Sequence, residues 1–430
     1  MNAFRPYAEN HYREDLPGLR ACAVILIVIY QIWIDKEPGG IDAIFVMSGF
    51  LMGSVLLREY AQGECLRPFH FWAGIIKRVA PPAYLVLMTI FLLGPFILSP
   101  SEWRAALDDL LLSAMHLENV QLIRNGIEPR HRSLHNPFEH FWAVSMHMQL
   151  YLLLPLLMGP VMFLSRVFHV RWPMMLWVIL VILGSLAYSV SATHSHPASA
   201  YFHTAARLWE FFTGVLLALL VPLLHLGQTG VRIATVTGLS LLVSTGLVIS
   251  PQAPFPGIAA LLPVVATALL IMAGGQRCAT VPLSRWLANQ HMAYLGNAAL
   301  AIYLWHWPLL ICAQRFFGTA SPSLAQGLLV IVATLALGIL TVEIVESPFR
   351  RIPKAKPWVA FIVGILCFAP VFAAWVGGKH HVLSNEQAAR DDAKSFAAPY
   401  YSGPSLHPQN NAQSSLSEHS YPKESLRPDK

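Results

Sequence analysis

Apolar residues in this chain fall in long runs separated by short polar stretches. The runs lack the period-two alternation of a membrane barrel and are too long for ordinary strands. They predict about eleven helical spans, near 19–34, 41–57, 79–99, 140–164, 173–191, 205–224, 232–250, 256–274, 292–313, 324–345 and 357–377. At 1.5 Å per residue most of these cross roughly 30 Å of hydrocarbon; the first two are short and are expected to tilt or to line a protected cavity. Residues 1–18 are polar and read as an N-terminal segment without the form of a signal peptide. The connection at about 100–139 is long, and Trp103 to Leu117 within it reads as an amphipathic interfacial helix. After about residue 378 the sequence turns rich in Ser, Pro, Asn and Gln and reads as a disordered tail. The expected fold class is an all-α, polytopic transmembrane helical bundle.

Charge adds an orientation. Lys and Arg gather in alternate connections: Arg58, Arg67, Lys77 and Arg78; Arg166 and Arg171; Arg277 and Arg285; Arg350, Arg351, Lys354 and Lys356. The intervening short connections hold only Lys36 and Arg315. The positive-inside rule then makes the N-terminus cytoplasmic, and about eleven spans leave the C-terminal tail outside. Only 12% of the residues are charged and 55% are hydrophobic, which excludes a soluble enzyme, since soluble domains carry about 25% charged residues. The net charge of +6 is accounted for by orientation and gives no reason to expect nucleic acid. The five scattered cysteines suggest neither a disulfide framework nor a metal site, and His380–His381 reads as part of a solvated tail.

Ionisable groups at membrane depth are costly and mark the places to look for function. Arg20 starts the first span and Gln31 follows eleven residues later, which is three turns with about 20° left over, so both share one helix face about 16 Å apart. That face could line a path through the bundle; spacing alone favours a snorkelling Arg with an interfacial Gln. Asp42 and Ser48 stand among Gly39, Gly40 and Gly49, where Asp42 could also cap a helix. Lys77 and Arg78, before Pro81 and Pro82, could hold a phosphorylated ligand or could simply set orientation. His140, Val144, His147 and Tyr151 form one stripe, in which His147 is a possible base or a structural histidine. Arg207 and Glu210 are spaced for an ion pair, and His306 lies in Trp305-His306-Trp307-Pro308, a cluster that also suits an aromatic belt.

These residues resemble a known family, the integral-membrane acyltransferase type 3 proteins. The likeness covers about residues 14 to 353. It rests on Leu19-Arg20-Ala21, on Gly40-Ile41-Asp42 through Ser48-Gly49-Phe50, and on Arg78 with Pro81. It continues in His140, Trp142, Ser145, Gln149, Tyr151 and Pro155, in Tyr201-Phe202, Arg207, Glu210 and Gly214, and in Gly296 with Tyr303 to Pro308. The Trp-His-Trp-Pro form and the eleventh span are similar to a subgroup that carries an outer esterase-like domain; about 50 residues follow here, so that domain is expected to be absent. The resemblance implies a ten-span acyltransferase core at about 19–355, one further span at 356–378 and a tail at 379–430.

It also implies a reaction: an acyl group, acetyl in the first instance, passes from cytoplasmic acyl-CoA to a hydroxyl of a surface or lipid-linked glycan, in a bacterial inner membrane and with no bound cofactor. Arg20, Gln31 and His147 are then the catalytic candidates, and Lys77 and Arg78 the donor-binding ones. Asp42, Ser48, His140, Gln149, Tyr151, Arg207, Glu210 and His306 would be cavity or structural residues. The sequence departs from the family where it matters. Position 31 holds Gln in place of the catalytic His, the usual acidic residue of the fourth span falls on His147, and Ile75 replaces the first arginine of an Arg-x-x-Arg. An amide cannot act as a base near neutral pH, so His147 is expected to substitute. The rival expectations are a non-catalytic member that binds a glycan, a partner acyltransferase or export proteins, and a transporter, which would call for an internal repeat that the sequence lacks.

Overall fold

A computed structural model of the chain describes residues 7, 13–34, 39–64, 66–127, 136–249, 254–276, 282–319, 321–353 and 356–401. All the regular elements described are helical. Residues Met1–Lys379 form one compact unit and His380–Lys430 a second.

The first helices are α1 (Asp15–Trp33), α2 (Gly40–Ala61) and α3 (Pro68–Ile97). α3 begins earlier than the hydropathy pattern suggests, with a proline in its first turn, where the missing N–H costs nothing. Lys77, Arg78, Pro81 and Pro82 are therefore interior helical residues, not a loop and a helix start. The long connection folds into α4 (Pro100–Ala114), closed at its start by a Ser99–Glu102 capping box, and α5 (Glu118–Arg124). The loop residues Glu128, His131 and His135 lie outside the described residues. Next come α6 (Phe141–Phe168), α7 (Trp172–Ser195), α8 (Pro197–Phe202), α9 (Thr204–Leu220) and α10 (Gln228–Val248).

The eighth expected span is shortened to α11 (Leu261–Gly274), about 21 Å long. Turns occupy 255–260, where Gly257 takes a positive φ of 38° that ends any helix. α12 (Pro282–Leu287) precedes α13 (Gln290–Asn297) and α14 (Ala299–Phe317), which meet at a 63° bend within the ninth expected span. α15 (Leu324–Leu340) runs through a π turn at Thr341–Glu346 into α16 (Ser347–Arg350). Among the described residues, nine continuous helices are long and apolar enough to cross a membrane, and the bent pair makes ten. α17 (Pro357–Tyr401) continues past residue 378, where the apolar pattern stops. Helix-favouring Gln, Ala and Arg follow there, so propensity carries the helix beyond its hydrophobic part. The remainder of the tail read as disordered lies outside the described residues.

The core is built on a close crossing of α2 and α9. A Cβ on Gly49 would stand 1.8 Å from the carbonyl oxygen of Phe211, and one on Gly214 would stand 2.0 Å from that of Val46. Only hydrogen fits at either place, and the two backbones meet as small residues allow in membranes. Gly214→Leu should therefore force the helices apart. Overpacking typically costs about 1–3 kcal/mol, more when backbone is the obstacle, so the melting midpoint in detergent should fall by several degrees. The same crossing sets Arg207 of α9 against Asp42 of α2.

Candidate functional site

A cavity of about 650 Å³ lies among α1, α2, α3, α6 and α14. Arg20, Ser48, His147, Tyr151 and Tyr303 contribute to its wall, with Ile41, Ile44, Val144 and Met148 as its apolar part. At one end of the bundle, called the basic end here, it is lined by Arg67, His70, Lys77, Arg78 and Arg350, against Glu59 and Glu64. The excess of cations suits a phosphorylated ligand. Lys77 is tied down, its Nζ donating to the carbonyl of Ile352 at 3.0 Å. The π turn brings buried Glu346 inward, where it accepts from Arg350 Nη2 at 2.5 Å and Nε at 2.8 Å and lies 3.9 Å from Arg78 Nε. The turn is itself fixed by Trp305, whose Nε1 donates to Thr341 Oγ1 at 2.8 Å. Arg20 has no hydrogen bond or ion pair among the described residues, leaving its guanidinium available to a ligand.

His147 is held in one tautomer. Its Nδ1–H donates to the carbonyl of Ala143 at 2.8 Å, and its ring stacks on Phe45 with centroids 4.3 Å apart. Nε2 then carries the lone pair; it is buried, with the Ile44 backbone close to the ring, and makes no geometrically sound hydrogen bond among the described residues. The sequence-predicted residues Arg20, His147, Lys77, Arg78, Ser48 and Tyr151 thus share one cavity.

Gln31 is engaged elsewhere. Its side-chain amide meets Nε2 of buried His306 at 2.5 Å. The atom that faces Nε2 is the amide oxygen Oε1, which accepts from it, while Nδ1 of the ring meets the carbonyl of Tyr303. Tyr303 in turn donates its hydroxyl to the carbonyl of His140 at 2.8 Å, and His140 Nε2 pairs with the carbonyl of Leu304 at 3.0 Å. Arg20 and Gln31 both engage the protein interior, but only Arg20 is on the cavity wall.

Three further sequence-predicted residues form a separate buried cluster. Arg207 Nη1 donates to Asp42 at 2.5 Å and to Glu210 at 3.1 Å, with Tyr201 and Phe255 rings 4.8 Å and 5.0 Å from its guanidinium. All three are at most 3% exposed, and they lock α2 to α9. Gln149 also points away from the cavity: its amide donates to the carbonyl of His116 at 3.0 Å and to Asn119 at 2.9 Å, tying α6 to the α4–α5 connection.

Burial in that connection disfavours the charged form of three of its side chains. Burial pushes the Asp109 carboxyl up to about 6 despite a hydrogen bond from Asn136, and holds the His116 imidazole down to about 4. Glu118 is also raised, first by burial and then by Asp109. Tyr303, Glu346 and Arg350 belong to the site although they were not among the sequence-predicted site residues. Tyr303 was concealed by its aromatic neighbours, and the other two by a π turn that apolar periodicity does not report.

The helices described, with this basic, imidazole-lined cavity among them, define a multi-pass membrane protein. The chain belongs to the acyltransferase 3 family: the family's acyltransferase domain matches residues 13–343. It is similar to the O-acetyltransferase OatA of Staphylococcus aureus, 23% identical over 402 residues, which cover 89% of this chain and 66% of that protein. It is also similar to the peptidoglycan O-acetyltransferase OatA of Listeria monocytogenes, 25% identical over 357 residues, covering 79% of this chain and 56% of that protein. The chain thus spans less than two thirds of these relatives' length. No solved structure matches it.

Proposed function

We propose that this chain is a bacterial inner-membrane O-acyltransferase that moves an acetyl group from cytoplasmic acyl-CoA to a hydroxyl of a surface or exported glycan. Its N-terminus is cytoplasmic, so the basic end of the cavity faces the cytoplasm and receives the phosphates of the donor. The observation that carries the reading is one cavity wall formed by both a guanidinium residue, Arg20, and an imidazole residue, His147. The relatives' names support the acyl group and the glycan class.

Nε2 of His147 takes the proton of the acceptor hydroxyl while its oxygen attacks the thioester carbonyl; the C–O bond forms and Arg20 steadies the oxyanion. The C–S bond then breaks, and the thiolate leaves with the bonding pair and takes the proton from His147. Lys77, Arg78 and Arg350 hold the donor.

One observation favours a second reading. The position that holds the family's catalytic histidine carries an amide, engaged with His306, as expected of an accessory member that binds a partner acyltransferase or export protein. Purified protein in vesicles, given acetyl-CoA labelled in the acetyl group and envelope glycan from a deletion strain, separates the two. Label on the glycan is expected. If the deletion strain's glycan loses acetyl groups while the purified protein transfers none, the accessory reading stands and the catalytic one falls.

A further inference from the structure

Away from the basic end, the cavity lining stops at Ile41 on α2, Ala143 and Val144 on α6 and Tyr303 on α14. Along α2 it extends from Glu59 to Ile41, a rise of about 27 Å at 1.5 Å per residue. Gly40 packs against Ala23 and Ile27 of α1, since a Cβ there would come within 2.7 Å of the Ala23 carbonyl oxygen and 2.6 Å of Ile27 Cγ1. The inner end therefore sits at the level of those residues, at least one turn short of Gln31.

Tyr303 is fixed at that end by both of its polar groups. Its hydroxyl is bonded to the carbonyl of His140 at 2.8 Å. Its own carbonyl meets Nδ1 of His306, whose Nε2 is held from behind by Oε1 of Gln31 at 2.5 Å. A ring anchored in this way cannot swing aside for a longer guest.

We propose that Tyr303 gauges the acyl chain, its ring ending the apolar part of the cavity and the His306–Gln31 pair bracing it. The proposal rests on the donor reading above. With the thioester beside Arg20 and His147, the acyl tail continues toward Tyr303. From His147 to Ala143 the α6 wall rises only about 6 Å, which suits a very short acyl group. The Gln31 amide then has a use that needs no proton transfer: it supports the stop.

The test is calorimetric titration of the full chain in nanodiscs with CoA, acetyl-CoA and butyryl-CoA. Wild type should bind acetyl-CoA at least about 10-fold more tightly than butyryl-CoA, because each methylene without room costs about 10-fold or more. In Tyr303→Ala and in Val144→Ala, butyryl-CoA should gain, closing the gap to about threefold, because a chain with room no longer incurs that cost. Tyr303→Phe keeps the ring but loses its bond to the His140 carbonyl, and should narrow the ratio less than Tyr303→Ala does. Unchanged CoA affinity in each variant shows an intact fold and mouth. An unaltered acetyl-to-butyryl ratio in Tyr303→Ala and Val144→Ala overturns the gauge. Should Tyr303→Ala fail to fold, Val144→Ala combined with Ile41→Ala decides the matter in the same way. If wild type binds neither CoA nor acetyl-CoA, the donor reading itself fails, and the gauge with it.

Discussion

His147→Ala should lower acyl transfer by about 10²–10⁴-fold, the usual cost of losing a general base. The expectation follows from geometry. A helix carbonyl occupies Nδ1, Phe45 fixes the ring plane, and the residue lines the cavity with the proton-accepting role left to Nε2. Donor affinity should change little, because the phosphates are held at the basic end. The loss should therefore appear in the turnover number and not in the donor's KM. His147→Gln preserves size and should be as inactive, since an amide accepts no proton near neutral pH. A variant transferring acetyl at the wild-type rate, with labelled acetyl-CoA in vesicles, would remove His147 from the mechanism.

Arg207→Met should be the most destabilising single change in the bundle. It removes the cation between Asp42 and Glu210 and leaves two buried carboxylates without compensation. Breaking a buried ion pair by removing one partner costs about 3–5 kcal/mol. The stacking on Tyr201 and Phe255 is lost as well. The melting midpoint in detergent should fall well below that of Gly214→Leu. The triple change Asp42→Asn, Arg207→Met and Glu210→Gln should recover much of the loss, because no uncompensated charge remains. If Arg207→Met melts with wild type, the cluster does not hold α2 to α9.

The elements were legible in the sequence because lipid permits few solutions: an apolar run must satisfy its own backbone, and it becomes a helix. What the hydropathy pattern missed has identifiable causes. Pro68 starts α3 three turns before the hydrophobic run that marks it, so Lys77 and Arg78 lie inside a helix. Pro254, Pro256 and Gly257 cut the eighth span to fourteen residues. The bend between α13 and α14 follows Asn297 within one apolar run, and hydropathy does not register angle. Among site residues, the Arg207–Glu210 pair was readable from its i, i+3 spacing, but its bond to Asp42 links positions 165 residues apart. The meeting of Gln31 and His306, separated by 275 residues, likewise required the fold.

The π turn at Thr341–Glu346 has an evolutionary meaning. A five-residue hydrogen-bonded step holds one residue more than an α step, so everything after it is rotated by about 100°. A span of uniform α geometry would turn Glu346 and Arg350 away from Arg78, toward the hydrocarbon. The carboxylate that organises the entrance thus depends on an inserted residue as much as on its own identity. A single-codon deletion upstream of Glu346 would disarm the entrance while leaving every charged side chain encoded.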